Sequence, residues 1–189
     1  NGAKLIYNSK GELYKTKHGD TTREFEREGD RIVGVTETDG KGETRTTFPP
    51  LINADQKVEN VKLDNEGNFT YEIRNKDGTL KSSVKETADM VKAELDKDGD
   101  LLEARRPNGF TRKFGYVGEG QNKKLARVED IRKTADGEKS TIWSRKANPD
   151  GTLSEKFYSA TDNGKERTPR TIEKVLGDGS YEYRTDDMK

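Results

Sequence analysis

The sequence lacks several features that commonly carry protein function. It contains no cysteine, which excludes a disulfide framework, a thiolate nucleophile and a cysteine-ligated zinc or iron–sulfur site. No run of about 20 apolar residues occurs, which excludes a transmembrane helix. Large core-forming side chains are scarce, since Leu, Ile, Val and Phe together make up 33 of the 189 residues. This composition argues against the thick core of an α/β enzyme and makes disorder the main structural alternative.

An excess of charge of one sign is also missing. The 36 basic and 36 acidic residues cancel, and they are interleaved, as in Lys165-Glu166-Arg167. Nucleic-acid binding requires a local excess of Lys and Arg, so we do not expect nucleic acid as a partner. The chain begins at Asn1 without a charged and then apolar leader. We therefore expect it to be a fragment of a larger protein or a processed product.

Recognisable catalytic and cofactor motifs are absent. The one histidine, His18, stands beside Gly19, where we expect an exposed turn residue. No phosphate-binding or dinucleotide-binding motif occurs, so we predict no cofactor. The acidic run 96–100 is similar to a calcium loop, but Leu101 and Pro107 occupy the positions where that loop needs glycine and glutamate, so we predict no metal. We predict no enzyme activity, with a hydrolase using a carboxylate pair as the alternative.

Turn dipeptides and alternating residues dominate the chain instead. Asp-Gly and Asn-Gly pairs recur throughout and favour positive φ at both central positions of a type I′ hairpin turn. Between turns, side chains alternate: Phe110, Phe114 and Tyr116 share one face, and Thr111 and Lys113 share the other. This period of two indicates half-buried strands. We predict an all-β fold: an extended antiparallel meander of repeated hairpins, about ten to fourteen strands in an open or partly single-layer sheet.

Two stretches are less regular. The segment Glu86–Leu95 carries a weak helical pattern but also alternates, and we assign it to a strand. The Pro49-Pro50 pair cannot continue a strand ladder, so it marks a break, with Leu51–Glu59 as a connecting segment. We treat residues 1–189 as a single repetitive β domain with this break inside it.

An internal repeat is the most informative feature of the sequence. Each copy contains a glycine turn, a strand, a second turn and a further strand, and the copies cover Gly29–Phe48, Gly67–Thr79, Gly99–Tyr116 and Gly137–Tyr158. One copy cannot bury its own apolar face, so the copies must pack against neighbours.

These residues resemble the unit of the YD-repeat, or Rhs-repeat, family. The matching stretches are Gly29-Asp30-Arg31-Ile32 with Asp39-Gly40, Gly99-Asp100-Leu101-Leu102 with Pro107-Asn108-Gly109, and Asn148-Pro149-Asp150-Gly151-Thr152. The closing Tyr-Asp pair of that family is missing, since Val117 follows Tyr116 and Ser159 follows Tyr158. Repeats of that family build long spiralling β-sheets, often a shell around a toxin or an extracellular stalk. The resemblance therefore implies a short piece of a bacterial surface or secreted protein.

The functional prediction is a non-enzymatic structural or interaction module of a bacterial surface or secreted repeat protein, presenting a charged β-sheet surface to a protein or glycan partner. Free sheet edges also allow strand-to-strand self-association. The alternative is a carbohydrate- or peptide-binding module with an aromatic patch, whose stacking residues are Trp143, Phe157, Tyr158, Tyr181 and Tyr183. The same aromatic residues could instead form the scarce core of a thin sheet. Asn68-Phe69-Thr70 matches the glycosylation acceptor pattern.

Overall fold

The computed structural model of the chain describes residues 2–161 and 164–185. These residues form antiparallel meanders in sheets of five and eleven strands, neither of which is closed. The predicted all-β fold is confirmed. Within the described residues, helix is limited to one 3-10 turn at Gly120–Asn122, and no helix there is long and apolar enough to cross a membrane.

The chain divides into two compact units, residues 1–99 and 100–189. The Pro49-Pro50 pair lies inside the first unit, in the loop after the fifth strand. The strands of the first unit are β1 (Lys4–Tyr7), β2 (Leu13–His18), β3 (Thr21–Glu28), β4 (Arg31–Thr38), β5 (Thr44–Phe48), β6 (Gln56–Leu63), β7 (Phe69–Asn75), β8 (Leu80–Glu86) and β9 (Lys92–Asp96).

The second unit begins directly after the turn that follows β9. Its strands are β10 (Leu101–Arg105), β11 (Thr111–Val117), β12 (Lys124–Thr134), β13 (Gly137–Ala147), β14 (Leu153–Tyr158), β15 (Arg170–Val175) and β16 (Tyr181–Thr185). The sixteen strands of the described residues exceed the predicted number. One reason is that Glu86–Leu95 is not one strand: a turn at 87–91, with Met90 at φ 65°, separates β8 from β9. The predicted connecting segment is also shorter than expected, because β6 begins at Gln56.

Glycine turns join most neighbouring strands, but their geometry differs from the predicted type I′. In the turn after β7, Gly78 donates to the carbonyl of Asn75, and only Gly78 has positive φ. This is a type I turn followed by a left-handed glycine, a common three-residue hairpin loop. The carboxylate of Asp77 accepts from the backbone N–H of Thr79 at 2.9 Å. The aspartate therefore stabilises the turn with its side chain rather than by adopting positive φ.

The first unit has an apolar core between its two layers of strands. Phe25, Val35 and Phe48 on β3, β4 and β5 pack against Phe69 and Tyr71 on β7. The ring centres of Phe48 and Phe69 are 5.1 Å apart in an edge-to-face arrangement, which aromatic pairs favour. The few large side chains of this unit are thus concentrated in one place.

A chain of alternating charges lies beside this core and joins the two layers. Arg23, Glu37 and Arg45 are neighbours across β3, β4 and β5, and Glu86 faces Lys92 across β8 and β9. Arg23 links the two groups, because its Nη2 lies 2.7 Å from Glu37 Oε1 and 3.1 Å from Glu86 Oε2. The Arg23 side chain is only 1% exposed.

In the second unit, one face of the sheet is apolar. Phe114, Val128, Trp143 and Phe157, on β11 to β14, are buried on this face. Because side chains alternate along a strand, Asp130 and Arg132 continue the same face of β12 beyond Val128. The apolar face therefore passes directly into a polar and charged one.

The hairpin of β12 and β13 extends beyond its neighbours. Strand β11 begins opposite Ile131, and β14 pairs with β13 only from Ser144 onwards. All residues from 132 to 140 are exposed. We call residues 132–140 the ribbon. In this part of the chain the sheet is a single layer, as the sequence predicted for part of the fold.

Candidate anion-binding cleft

The second unit contains a cleft at the end of its apolar face, next to the base of the ribbon. Its volume is about 580 Å³, within the range of about 300 to 1,000 Å³ that is usual for small-ligand sites. The turn before β11, the strands β11 and β12, and the hairpin of β15 and β16 form its walls. The lining residues are Arg106, Asn108, Phe110, Arg112, Asp130, Arg132, Lys133, Arg170, Ser180, Tyr181 and Tyr183.

Close packing of a turn holds one wall of the cleft in place. Gly179, in the turn between β15 and β16, has φ 80°, and a β-carbon at this position would overlap the β-carbon of Ala104. Only glycine can adopt this backbone conformation without strain and also approach a neighbour so closely. The adjacent Asp178 forms an ion pair with Arg106 at 3.1 Å. These contacts place the ring of Tyr181 against Arg112 of β11, with Tyr183 beside it in the cleft lining.

Two arginines pack against aromatic rings inside the cleft. The guanidinium carbon of Arg112 lies 5.0 Å from the ring centre of Phe110 and 4.3 Å from that of Tyr181. The guanidinium carbon of Arg170 lies 3.7 Å from the ring of Trp143 and 4.2 Å from that of Tyr183. Such cation–π contacts orient a guanidinium group and leave its N–H groups available at the edges of the plane.

The two arginines differ in how their N–H groups are used. Arg112 donates to both carboxylate oxygens of Asp130 and to the carbonyl of Gly179. Arg170 donates from Nη1 to the Tyr181 hydroxyl at 3.2 Å, while its buried Nε has no hydrogen-bond acceptor among the residues that the structure describes. A buried N–H without an acceptor is unfavourable. Arg170 therefore contributes an uncompensated positive charge to the cleft wall.

Positive charge exceeds negative charge in this cleft. Its lining contains five cationic side chains and one carboxylate, that of Asp130. Within residues 2–161 and 164–185, no carboxylate forms an ion pair with Arg132, Lys133 or Arg170. Like charges that converge on one site repel each other, and an anion placed between them removes that repulsion. The electrostatics of the cleft therefore favour an anionic ligand.

The predicted stacking residues are only partly brought together. Tyr181 and Tyr183 line the cleft with ring centres 5.8 Å apart, and Tyr183 is 49% exposed. Trp143 is only 3% exposed and lies against Arg170, whereas Phe157 is fully buried in the apolar face. Tyr158 is half-buried and contacts Lys146 outside the cleft. Two of the five residues can thus touch a ligand directly, and Trp143 contacts a residue that can.

Of the residues that line this cleft, the sequence indicated Tyr181 and Tyr183 but neither Phe110 nor the arginines. In a chain with 36 basic residues, the presence of one arginine does not indicate a binding site. A usable signal was the spacing of Phe110, Arg112 and Phe114 at alternate positions, which places a cation on an otherwise apolar face. The other cations come from strands that are distant in sequence.

Other residues considered from the sequence lie elsewhere. His18 is in the first unit, where its Nδ1 lies 3.2 Å from Asp89. The side-chain amide of Asn68 donates to Asp64 at 2.9 Å, so the nitrogen that would carry a glycan already has a hydrogen-bond acceptor.

Comparison with protein-family models finds no match for this chain, and comparison with curated proteins also finds none. The resemblance to YD-repeats stays a prediction.

Proposed function

We propose that the chain is a non-enzymatic binding module and that the cleft of the second unit holds an anionic ligand. The observation that carries this proposal is the convergence of Arg132 and Arg170 on the cleft, where neither forms an ion pair with a carboxylate of the described residues. The proposal places the interaction surface expected from the sequence at one site, the cleft of the second unit. A bacterial surface or secreted protein, which the YD-repeat resemblance implies, is the setting that we propose for it.

The chemistry of the lining supports a ligand with carboxylate or similar oxyanion groups. Guanidinium groups match such oxyanions with two parallel hydrogen bonds. Asn108 and Ser180 add neutral polar groups at the cleft wall, and the half-exposed ring of Tyr183 adds an apolar surface. The ligand of this proposal therefore combines negative charge with some apolar area.

The absence of an acid–base pair in the described lining supports a binding role over catalysis. Asp130 is the one carboxylate there, and both of its oxygens accept hydrogen bonds from Arg112. A general acid or base needs a proton that it can exchange with the substrate. A carboxylate held between guanidinium N–H groups is poorly suited to that role.

Fluorescence of Trp143 provides a direct test, because this residue is the only tryptophan in the chain and contacts Arg170. We expect citrate, with three carboxylates, to change the emission saturably and more strongly than acetate at equal ionic strength. Arg132→Gln should weaken citrate binding about tenfold or more, since a charge-assisted hydrogen bond contributes about 1.5 to 3 kcal/mol. Lys124→Gln, at the far end of β12, is the matched control and should leave the affinity unchanged.

The proposal would be wrong if citrate and acetate caused the same small, unsaturated change. It would also be wrong if Arg132→Gln and Lys124→Gln weakened binding equally, because attraction would then reflect general charge and not the cleft. Saturable binding of a neutral sugar, unaffected by Arg132→Gln, would instead favour the carbohydrate-binding alternative through Tyr181 and Tyr183.

A further inference from the structure

The outer edge of β13 is open over residues 137–143. These residues pair with β12 on one side only, because β14 begins to pair with β13 at Ser144. No backbone hydrogen bond from another part of the described chain reaches this edge. Five of the seven residues are exposed, at positions 137–140 and 142. An open edge of this length presents a row of N–H and C=O groups that can pair with an added strand.

The charges on the two faces of the ribbon differ. On the face that continues into the cleft, Arg132 lies directly opposite Lys139. Two cations in this position destabilise a hairpin. Neither forms an ion pair with a carboxylate within the part of the chain that the structure describes. On the other face, Lys133 lies opposite Glu138, which is the favourable arrangement of opposite charges. The unfavourable pair is therefore confined to the face shared with the cleft.

We propose that an extended acidic peptide adds as a strand along residues 137–143 of β13, beside the cleft, with its acidic side chains on the face that carries Arg132 and Lys139. This inference rests on the proposed function, because Arg132 belongs both to the cleft lining and to this face. The peptide backbone would pair with the open edge, as in other cases of strand addition. Alternate side chains of the peptide would lie on the face of Arg132 and Lys139. Carboxylates at these positions relieve the repulsion between the two cations.

Charge complementarity favours such a peptide over a second copy of the chain. A copy that paired antiparallel along the same edge would place its own Arg132 and Lys139 on the same face as the first pair. Four cations would then share one face of the extended sheet, which opposes association. An acidic strand brings the opposite charge to the same place.

The test uses the full chain and an eight-residue peptide that alternates aspartate and valine, with blocked ends. We expect calorimetry to show saturable binding, and hydrogen exchange to slow in residues 137–143 when the peptide is present. Methylating the backbone nitrogens on one edge of the peptide keeps its charge but prevents strand pairing. We expect this change to weaken binding at least tenfold for the edge that pairs.

Lys139→Glu tests the charge of the ribbon face. Because it places opposite charges across the hairpin, the variant should be at least as stable as the parent chain. We expect it to bind the acidic peptide at least tenfold more weakly, while citrate binding in the cleft stays within about twofold, since Lys139 is not part of the cleft lining. Lys124→Glu, at the far end of the neighbouring strand β12, is the control with the same charge change.

The outcomes separate this inference from the proposed function. If citrate binds but the affinity for the peptide is unchanged by backbone methylation and by Lys139→Glu, strand addition alone is overturned. Failure of both citrate and peptide to bind would overturn both. Tighter binding of a uronate oligosaccharide of equal charge, or concentration-dependent dimerisation through residues 137–143, would assign the edge to a different occupant and overturn the peptide proposal.

Discussion

The alternating charges beside the core of the first unit, with Arg23 at their centre, allow a specific prediction about stability. Arg23 contacts two carboxylates, those of Glu37 and Glu86, and also donates to the carbonyl of Thr87 at 3.0 Å. Replacing it with methionine keeps a long side chain but leaves the two carboxylates facing an apolar group. Breaking a buried ion pair by removing one partner costs about 3 to 5 kcal/mol. Each carboxylate retains one other cation, so we expect the free energy of unfolding to fall by about 3 kcal/mol, the lower end of that range.

Arg45→Met is the matched control, because Arg45 contacts the same Glu37 carboxylate at 2.8 Å but is 60% exposed. Water solvates both partners of an exposed pair, so we expect a loss of about 1 kcal/mol or less. The assay is urea unfolding followed by far-ultraviolet circular dichroism. Trp143 lies in the second unit, so its fluorescence follows the unfolding of that unit while circular dichroism follows the whole chain.

The effect of Arg23→Met should also depend on pH. Burial alone would raise the pKa of Glu37, but the charges of Arg23 and Arg45 and their hydrogen bonds lower it below its ordinary value. A carboxyl group with a lowered pKa contributes stability above its unfolded pKa of about 4.3 and loses it as pH falls through the folded value. The difference between the parent chain and Arg23→Met should therefore shrink below about pH 4. Equal losses for Arg23→Met and Arg45→Met, or a difference independent of pH, would refute this reasoning.

Two further predictions concern a glycine and a lysine. Gly179→Ala should destabilise the second unit by about 2 kcal/mol more than Gly151→Ala. Both glycines have φ near 80°, but only at Gly179 would the new β-carbon overlap Ala104. Thermal unfolding followed by Trp143 fluorescence measures this difference, and equal shifts in the midpoint would contradict the prediction. Burial lowers the pKa of Lys92, but the charge of Glu86 and the hydrogen bonds that the Lys92 ammonium donates to Tyr71 and Glu86 raise it more. The raised pKa contributes stability below the unfolded pKa of about 10.4, which is lost as pH rises through the folded value. Urea unfolding should therefore show a fall in stability above about pH 10.4 that is smaller in Lys92→Met, and an unchanged fall would contradict the assignment.

The local features of the fold could be predicted because they depend on neighbouring residues. Alternation and turn residues indicated strands and hairpins, as in Gly99–Tyr116, where β10 and β11 form one hairpin. The exact turn geometry could not be predicted in this way. At Asp77-Gly78 the aspartate carboxylate bonds to Thr79, which stabilises a type I turn, whereas dipeptide preference pointed to type I′.

The candidate cleft was only partly predictable for the same physical reason. Tyr181 and Tyr183 were candidate ligand-binding residues because the sequence contains few aromatic side chains. Whether their rings face solvent, apolar side chains or guanidinium groups depends on contacts between distant segments. The bond from Arg112 to the carbonyl of Gly179 spans 67 residues, and no local pattern encodes such a pairing.

The sequence by itself therefore determined an all-β chain of short hairpins, since the period-two alternation and the glycine turns act over a few residues. Tertiary structure alone decided which charges are neutralised and which are not. Packing buries Arg23 between Glu37 and Glu86 in the first unit, while in the second unit Arg132 and Arg170 converge without a carboxylate partner among the described residues. A sequence with equal numbers of acids and bases can contain a strongly cationic cleft, because electrostatic interactions depend on distance in space and not on composition.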